Sequence, residues 1–222
     1  MAFENQTAVQ AGVDRLETHK VIRNTYMMLS LTLLFSAVMA TVSLLAGVPG
    51  WTSLVSLGAA LLLIWFVLPR TAQSGTGLAV VFGITGLLGF GLGPMLSQYL
   101  ALPNGGQIVM TALGGTGAIF LGLSGYALVS RRDFSFMGGF LVVGLVVILA
   151  AMLGNLFLEI PALSMAISAA VVLLMSGFIL YDTGRMVNGG EDNYLLLTVS
   201  LYLNIFNLFV HLLSLLGMSQ ND

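Results

Sequence analysis

Seven apolar runs, each near the ~20 residues that an α-helix needs to cross a ~30 Å hydrocarbon layer, constrain this chain more than any other feature. They cover approximately Tyr26 to Ala46, Trp51 to Leu68, Gly77 to Leu102, Gln107 to Val129, Gly138 to Leu158, Ala162 to Tyr181 and Tyr194 to Gly217. The breaks between them carry turn chemistry, as in Gly47-Val48-Pro49-Gly50, Pro103-Asn104-Gly105-Gly106, Ile160-Pro161 and Asn188-Gly189-Gly190. Lipid offers backbone N–H and C=O groups no partner, so such runs must become helices. The expectation is an all-α membrane protein built as one seven-transmembrane-helix bundle over residues 26–217. A polar N-terminal tail (residues 1–25, helical near Asp14 to Asn24) and a short C-terminal tail (residues 218–222) flank it. The first apolar run starts too late and is too long for the h-region of a signal peptide.

Composition narrows the function classes. With 58% hydrophobic and only 7% charged residues, no basic cluster is large enough to track a nucleic-acid backbone. Cysteine is absent, which removes disulfides, thiolate nucleophiles and thiolate metal ligands. His19 and His211 lie in unrelated segments and form no metal-spaced pair. No HExxH pair occurs, and no serine has a histidine whose place in the sequence suggests a base. An enzyme is therefore not expected, nor a cofactor.

The seven Lys and Arg residues fix an orientation. Arg15, Lys20 and Arg23 lie in the tail, Arg70 after the second run, Arg131 and Arg132 after the fourth, and Arg185 after the sixth. All fall on one side of a seven-span arrangement, which the positive-inside rule makes cytoplasmic. The N-terminus is expected in the cytoplasm and the C-terminus in the periplasm.

Glycine is frequent, 27 residues, and concentrated in the third and fourth runs. Gly83, Gly86, Gly89, Gly91 and Gly93 precede Pro94, and Gly114, Ala118 and Gly122 recur at small-xxx-small spacing. Small residues let helices approach closely in lipid. The segment Gly91 to Pro94 has an alternative reading as a breakable stretch lining a cavity.

The last run is the expected hub. Its polar residues Ser200, Asn204, Asn207, His211 and Ser214 follow one another at steps of four, three, four and three, placing all of them on one narrow helical stripe. Such a stripe must face protein or internal water, as hydrogen-bond glue between helices or as a functional surface. Asp182, in SGFILYDTGRM, is an acid that directly continues a spanning run, with Ser164 and Ser168 on the same helical face. Arg185 one turn on and Arg70 across the mouth of the bundle are candidate partners. Asp182 then reads either as an ion pair that ends the sixth helix or as a proton-titrated latch, since burial favours the neutral acid and a nearby arginine the carboxylate. Candidates for a pH or ion gate are Asp182, Asn204, Asn207, His211, Arg70 and Arg185. Glu191 and Asp192 read as a solvated turn.

Several ordered stretches give the chain a family resemblance: THKVIRNTY at residues 18–26, GFGLGPMLSQYL at 89–100, MTALGGTGAIF at 110–120, RRDFSFMGGFL at 131–141, NLFLEIPALSMAISA at 155–169, ILYDTGRMVNGGEDNY at 179–194, and the stripe of the last run. Over nearly its whole length it resembles the Bax inhibitor-1 family of seven-helix membrane proteins, and within it the bacterial YccA-like group. The resemblance implies a central C-terminal helix wrapped by six others. It further implies one of two functions. The YccA-like group is associated with the membrane-anchored, ATP-dependent FtsH protease, which it modulates and of which it is a substrate; the tail Met1 to Thr25 is then the segment that engages the protease. Other members are described as pH-sensitive calcium leaks with an acidic pair between helices six and seven. Here Asp182 matches the first acid, whereas the second position is Asn204, whose amide does not titrate. The expectation is an inner-membrane FtsH modulator, with a calcium or cation leak as the alternative.

Overall fold

The computed structural model describes residues 2–219, with side chains from Thr18 onward. Seven helices account for the spans: α1 (Ala2–Leu45), α2 (Trp51–Thr71), α3 (Thr76–Leu100), α4 (Gly105–Ser130), α5 (Gly138–Leu158), α6 (Pro161–Val187) and α7 (Tyr194–Met218). No strand occurs among the described residues. Within α1 the apolar, membrane-capable part is Thr18–Leu45. The side chains of the first seventeen tail residues and the positions after Ser219 lie outside the described residues.

Short connections make successive helices antiparallel, so the start of α1 and the ends of α2, α4 and α6 share one end of the bundle. That end carries Lys20, Arg23, Arg70, Arg131, Arg132 and Arg185. The α7 helix is central: it packs on α1, α3, α4 and α6. All three clusters of buried apolar residues meet on it, through Leu201 and Tyr202 near its start, Leu208 at its middle, and Phe209 and Leu213 towards its end. By contrast α5 rests mainly on α6, and its Phe140, Val143 and Leu156 are exposed, as a lipid-facing helix requires.

Local chemistry explains the irregular points. Pro69 has no N–H to give the carbonyl one turn back, and α2 absorbs the misfit as a π-helical turn over Leu63–Val67, with the Leu68 N–H reaching Leu63 O. Asn193 caps α7, its Oδ1 accepting from the N–H groups of Leu195 and Leu196 while its Nδ2 donates to Ala72 O at 3.0 Å. Asp133 accepts from the N–H and Oγ of Ser135 in the α4–α5 loop, and these bonds hold its carboxyl below the usual range.

The two glycine-rich helices use their glycines differently. On α3 a Cβ at Gly89 would lie 2.3 Å from the Ser36 carbonyl oxygen, and one at Gly93 2.2 Å from Ser43 Oγ. These glycines let α3 press against α1. The helix runs unbroken through Pro94, so the reading of Gly91 to Pro94 as a break is corrected, although a small cleft of about 220 Å³ does lie against Gly93, Pro94 and Ser97. On α4, Gly114 and Gly122 have nothing within 4 Å of a Cβ, and Ala118 between them is exposed. That stripe faces outward instead of packing within the bundle, because α4 turns Ile108, Ala112, Thr116, Ser124 and Ala127 inward.

Candidate functional site

The polar residues of the core gather where α6 and α7 meet α1 and α4. Asp182, only 5% exposed, accepts two hydrogen bonds on Oδ2, one from Ser200 Oγ at 2.6 Å and one from Asn204 Nδ2 at 2.7 Å. Ser200 and Asn204 are one helical turn apart, so consecutive rungs of one α7 face point at the same carboxylate. The two donors satisfy one oxygen of the acid and offset part of the cost of burying it.

A hydroxyl group of residues adjoins it. Tyr26 on α1 bonds Ser124 on α4, and Ser124 Oγ lies 3.4 Å from Oγ1 of Thr183, the residue after Asp182. Thr198 donates to Tyr194 O at 2.6 Å and also lies 3.5 Å from Thr25 O. Thr25 is fully buried, and its Oγ1 has no hydrogen-bond partner among the described residues. Deeper in the bundle, Ser36 and Tyr202 bond at 2.6 Å, and Tyr202 OH donates to Thr85 O at 3.2 Å, joining α1, α3 and α7.

The structure sorts the gate candidates read from sequence. Asp182 and Asn204 come together directly. Asn207 returns its Nδ2 to Leu203 O of its own helix at 2.8 Å, and His211 Nδ1 lies 3.2 Å from Ser168 Oγ. That Ser–His contact was not legible in the sequence; no carboxylate is bonded to the imidazole among the described residues. Neither arginine donates to Asp182. Arg70 donates to Phe66 O in its own helix, while Arg185 bridges Glu191 at 3.3 Å, donates to Gly190 O and sits over the Tyr181 ring. Ser200, Tyr26, Ser124 and Thr183 join the site beyond the expected set. Only Ser200 had a signal, its place one turn before Asn204 on the stripe.

Above this cluster, at the charged end, opens a cleft of about 660 Å³ bounded by the Thr18–Ile22 stretch of α1, the end of α4 and the α6–α7 loop, with His19, Arg131, Glu191 and Asp192 among its lining residues. Among the described residues no three His, Asp or Glu side chains converge as metal ligands. The arrangement holds a buried carboxylate in fixed hydrogen bonds between two helices, close beneath a polar cleft.

Comparison with known proteins agrees with this architecture. A profile of the family described as "Inhibitor of apoptosis-promoting Bax1" matches residues 18–221. A protein of Escherichia coli named "Modulator of FtsH protease YccA" is 47% identical over 207 residues, covering 93% of this chain and 94% of that protein. An uncharacterized membrane protein of Vibrio cholerae is also 47% identical over 207 residues, 93% of each chain. An uncharacterized protein of Pseudomonas aeruginosa is 41% identical over 220 residues, 99% of each.

Proposed function

The chain belongs to the Bax inhibitor-1 family, and from that premise we propose that it is an inner-membrane modulator of the FtsH protease, itself a substrate through its N-terminal tail. The observation that carries this reading is the 47% identity, over nearly the whole of both chains, to the E. coli protein of that name. In this reading the bundle is the anchor and contact surface, and the tail Met1 to Thr25 reaches the protease from the cytoplasmic side. The clustering of Lys and Arg at the end where α1 begins supports that orientation. The test is co-purification of the tagged protein from native membranes in mild detergent, beside a version lacking residues 2–12. Recovery of FtsH with the full chain supports the reading; its absence from both, with both folded and abundant, overturns it.

A second reading, a calcium or cation leak, rests on Asp182. A buried carboxylate flanked by Ser200, Asn204 and a hydroxyl cluster is the kind of intramembrane acid that marks ion pathways. Asp182→Ala then changes calcium flux in liposomes; flux no greater than that of empty vesicles for the parent protein contradicts it.

A further inference from the structure

The cleft at the charged end and the polar cluster beneath it are separated by a single helical turn on each of three walls. Ile22 of α1, Leu128 of α4 and Met186 of α6 all line the cleft. One turn deeper on the same helices stand Tyr26, Ser124 and Asp182, each four residues along. Each apolar residue therefore stands one turn nearer the cleft than its polar counterpart, on nearly the same helical face. Met186 is 1% exposed and Ile22 and Leu128 are half-buried, as for residues forming a floor. Next to Tyr26 on α1, Thr25 Oγ1 is buried with no hydrogen-bond partner among the described residues, a state that costs free energy unless water reaches it.

We propose that the cluster of Thr25, Tyr26, Ser124, Asp182, Thr183 and Ser200 is a hydrated chamber, filled from the cleft, and that Ile22, Leu128 and Met186 are its closure. Water and small hydrophilic solutes reach Asp182 from the charged end when this one-residue-thick layer opens. Methionine suits the position: its unbranched thioether side chain has three rotatable bonds and repacks at low cost. The layer is thin enough for side-chain rotation to open it, with no need for a helix to move. The far side differs, for between Asp182 and Ser168 the buried face of α6 carries Ile179, Met175 and Val171, several turns of apolar packing. The inference stands apart from the protease reading, since it concerns access to the core and not what binds the bundle.

The absence of cysteine makes the test direct. Single cysteines are placed at Ser124 in the chamber and at Asn188 in the cleft, and the purified full-length protein is treated with 2-aminoethyl methanethiosulfonate. Thiol modification follows exposure, so Asn188→Cys reacts at least about 100-fold faster than Ser124→Cys. Adding Met186→Ala, or Leu128→Ala should the first variant fail to fold, raises the Ser124→Cys rate at least about tenfold and leaves Asn188→Cys unchanged. Leu213→Ala, an equal loosening at the opposite end of the core, does not. The proposal is overturned if Ser124→Cys already reacts as fast as Asn188→Cys, if neither truncation of the floor accelerates it, or if Leu213→Ala accelerates it equally. Because thiol access is read, and not protease binding or flux, the result is independent of either functional reading.

Discussion

Asn204 Nδ2 donates to Asp182 Oδ2 across the α6–α7 interface at 2.7 Å, and both side chains are buried. This bond links the acid that continues a spanning helix to the polar stripe of the central one. Its neighbour on the stripe, Asn207, spends the same kind of amide on its own helix.

That difference separates two chemically similar substitutions. Asn204→Leu deprives a buried acid of one of its two donors and destabilises the bundle by about 1–3 kcal/mol, the range for removing the partner of a buried polar group. Asn207→Leu removes only a bond to Leu203 O and costs about 0.5 kcal/mol or less. Equilibrium unfolding in mixed micelles compares the two; equal losses contradict the assignment.

Asn204→Asp replaces the donor with a second acid against Asp182. Two carboxyls at that separation share a proton readily and repel when both ionise. The variant therefore loses thermal stability as pH rises from about 5 to about 8 more steeply than the parent does. Thermal unfolding across that range, in one detergent, measures it.

Glycine substitutions distinguish the packed helix from the outward one. Gly89→Ala drives a Cβ to 2.3 Å from the Ser36 carbonyl oxygen, so α1 and α3 must separate, at a cost of about 1–3 kcal/mol. Gly114→Ala meets nothing within 4 Å and is neutral or stabilising by up to about 1 kcal/mol through helix propensity. The comparison is read from thermal unfolding of the monodisperse protein.

At the charged end, Asp133 titrates below the usual carboxylate range because Ser135 donates to it twice. A depressed folded pKa means the loop's contribution is present above the unfolded value and lost as pH falls through the folded one. Ser135→Ala removes the hydroxyl donor, and the Asp133 carboxyl carbon, followed by NMR, titrates at higher pH than in the parent.

Much of this architecture was legible in the sequence because lipid leaves an apolar run of spanning length only one conformation. The stripe on the last run likewise identified α7 as the hub, since five polar residues on one face of a lipid-soluble helix must be turned inward. What periodicity along one helix does not carry is which faces of different helices meet. The Tyr26–Ser124 bond joins residues 98 apart. The small residues of α4 have the spacing of a packed face, yet they point outward, because Ala112, Thr116 and Ala127 are also small and serve as the inner face. Arg185 follows Asp182 by one turn of helix, but the α6–α7 loop brings Glu191 to it from solvent, where pairing costs less desolvation than in the core.

The most direct test of the central claim is the rate at which FtsH degrades a membrane substrate in proteoliposomes, with and without this protein at equal lipid content. A modulator slows that degradation in proportion to its amount, and is itself consumed more slowly when residues 2–12 are removed. Substrate turnover unchanged at every ratio, with the protein folded and inserted in one orientation, contradicts the account.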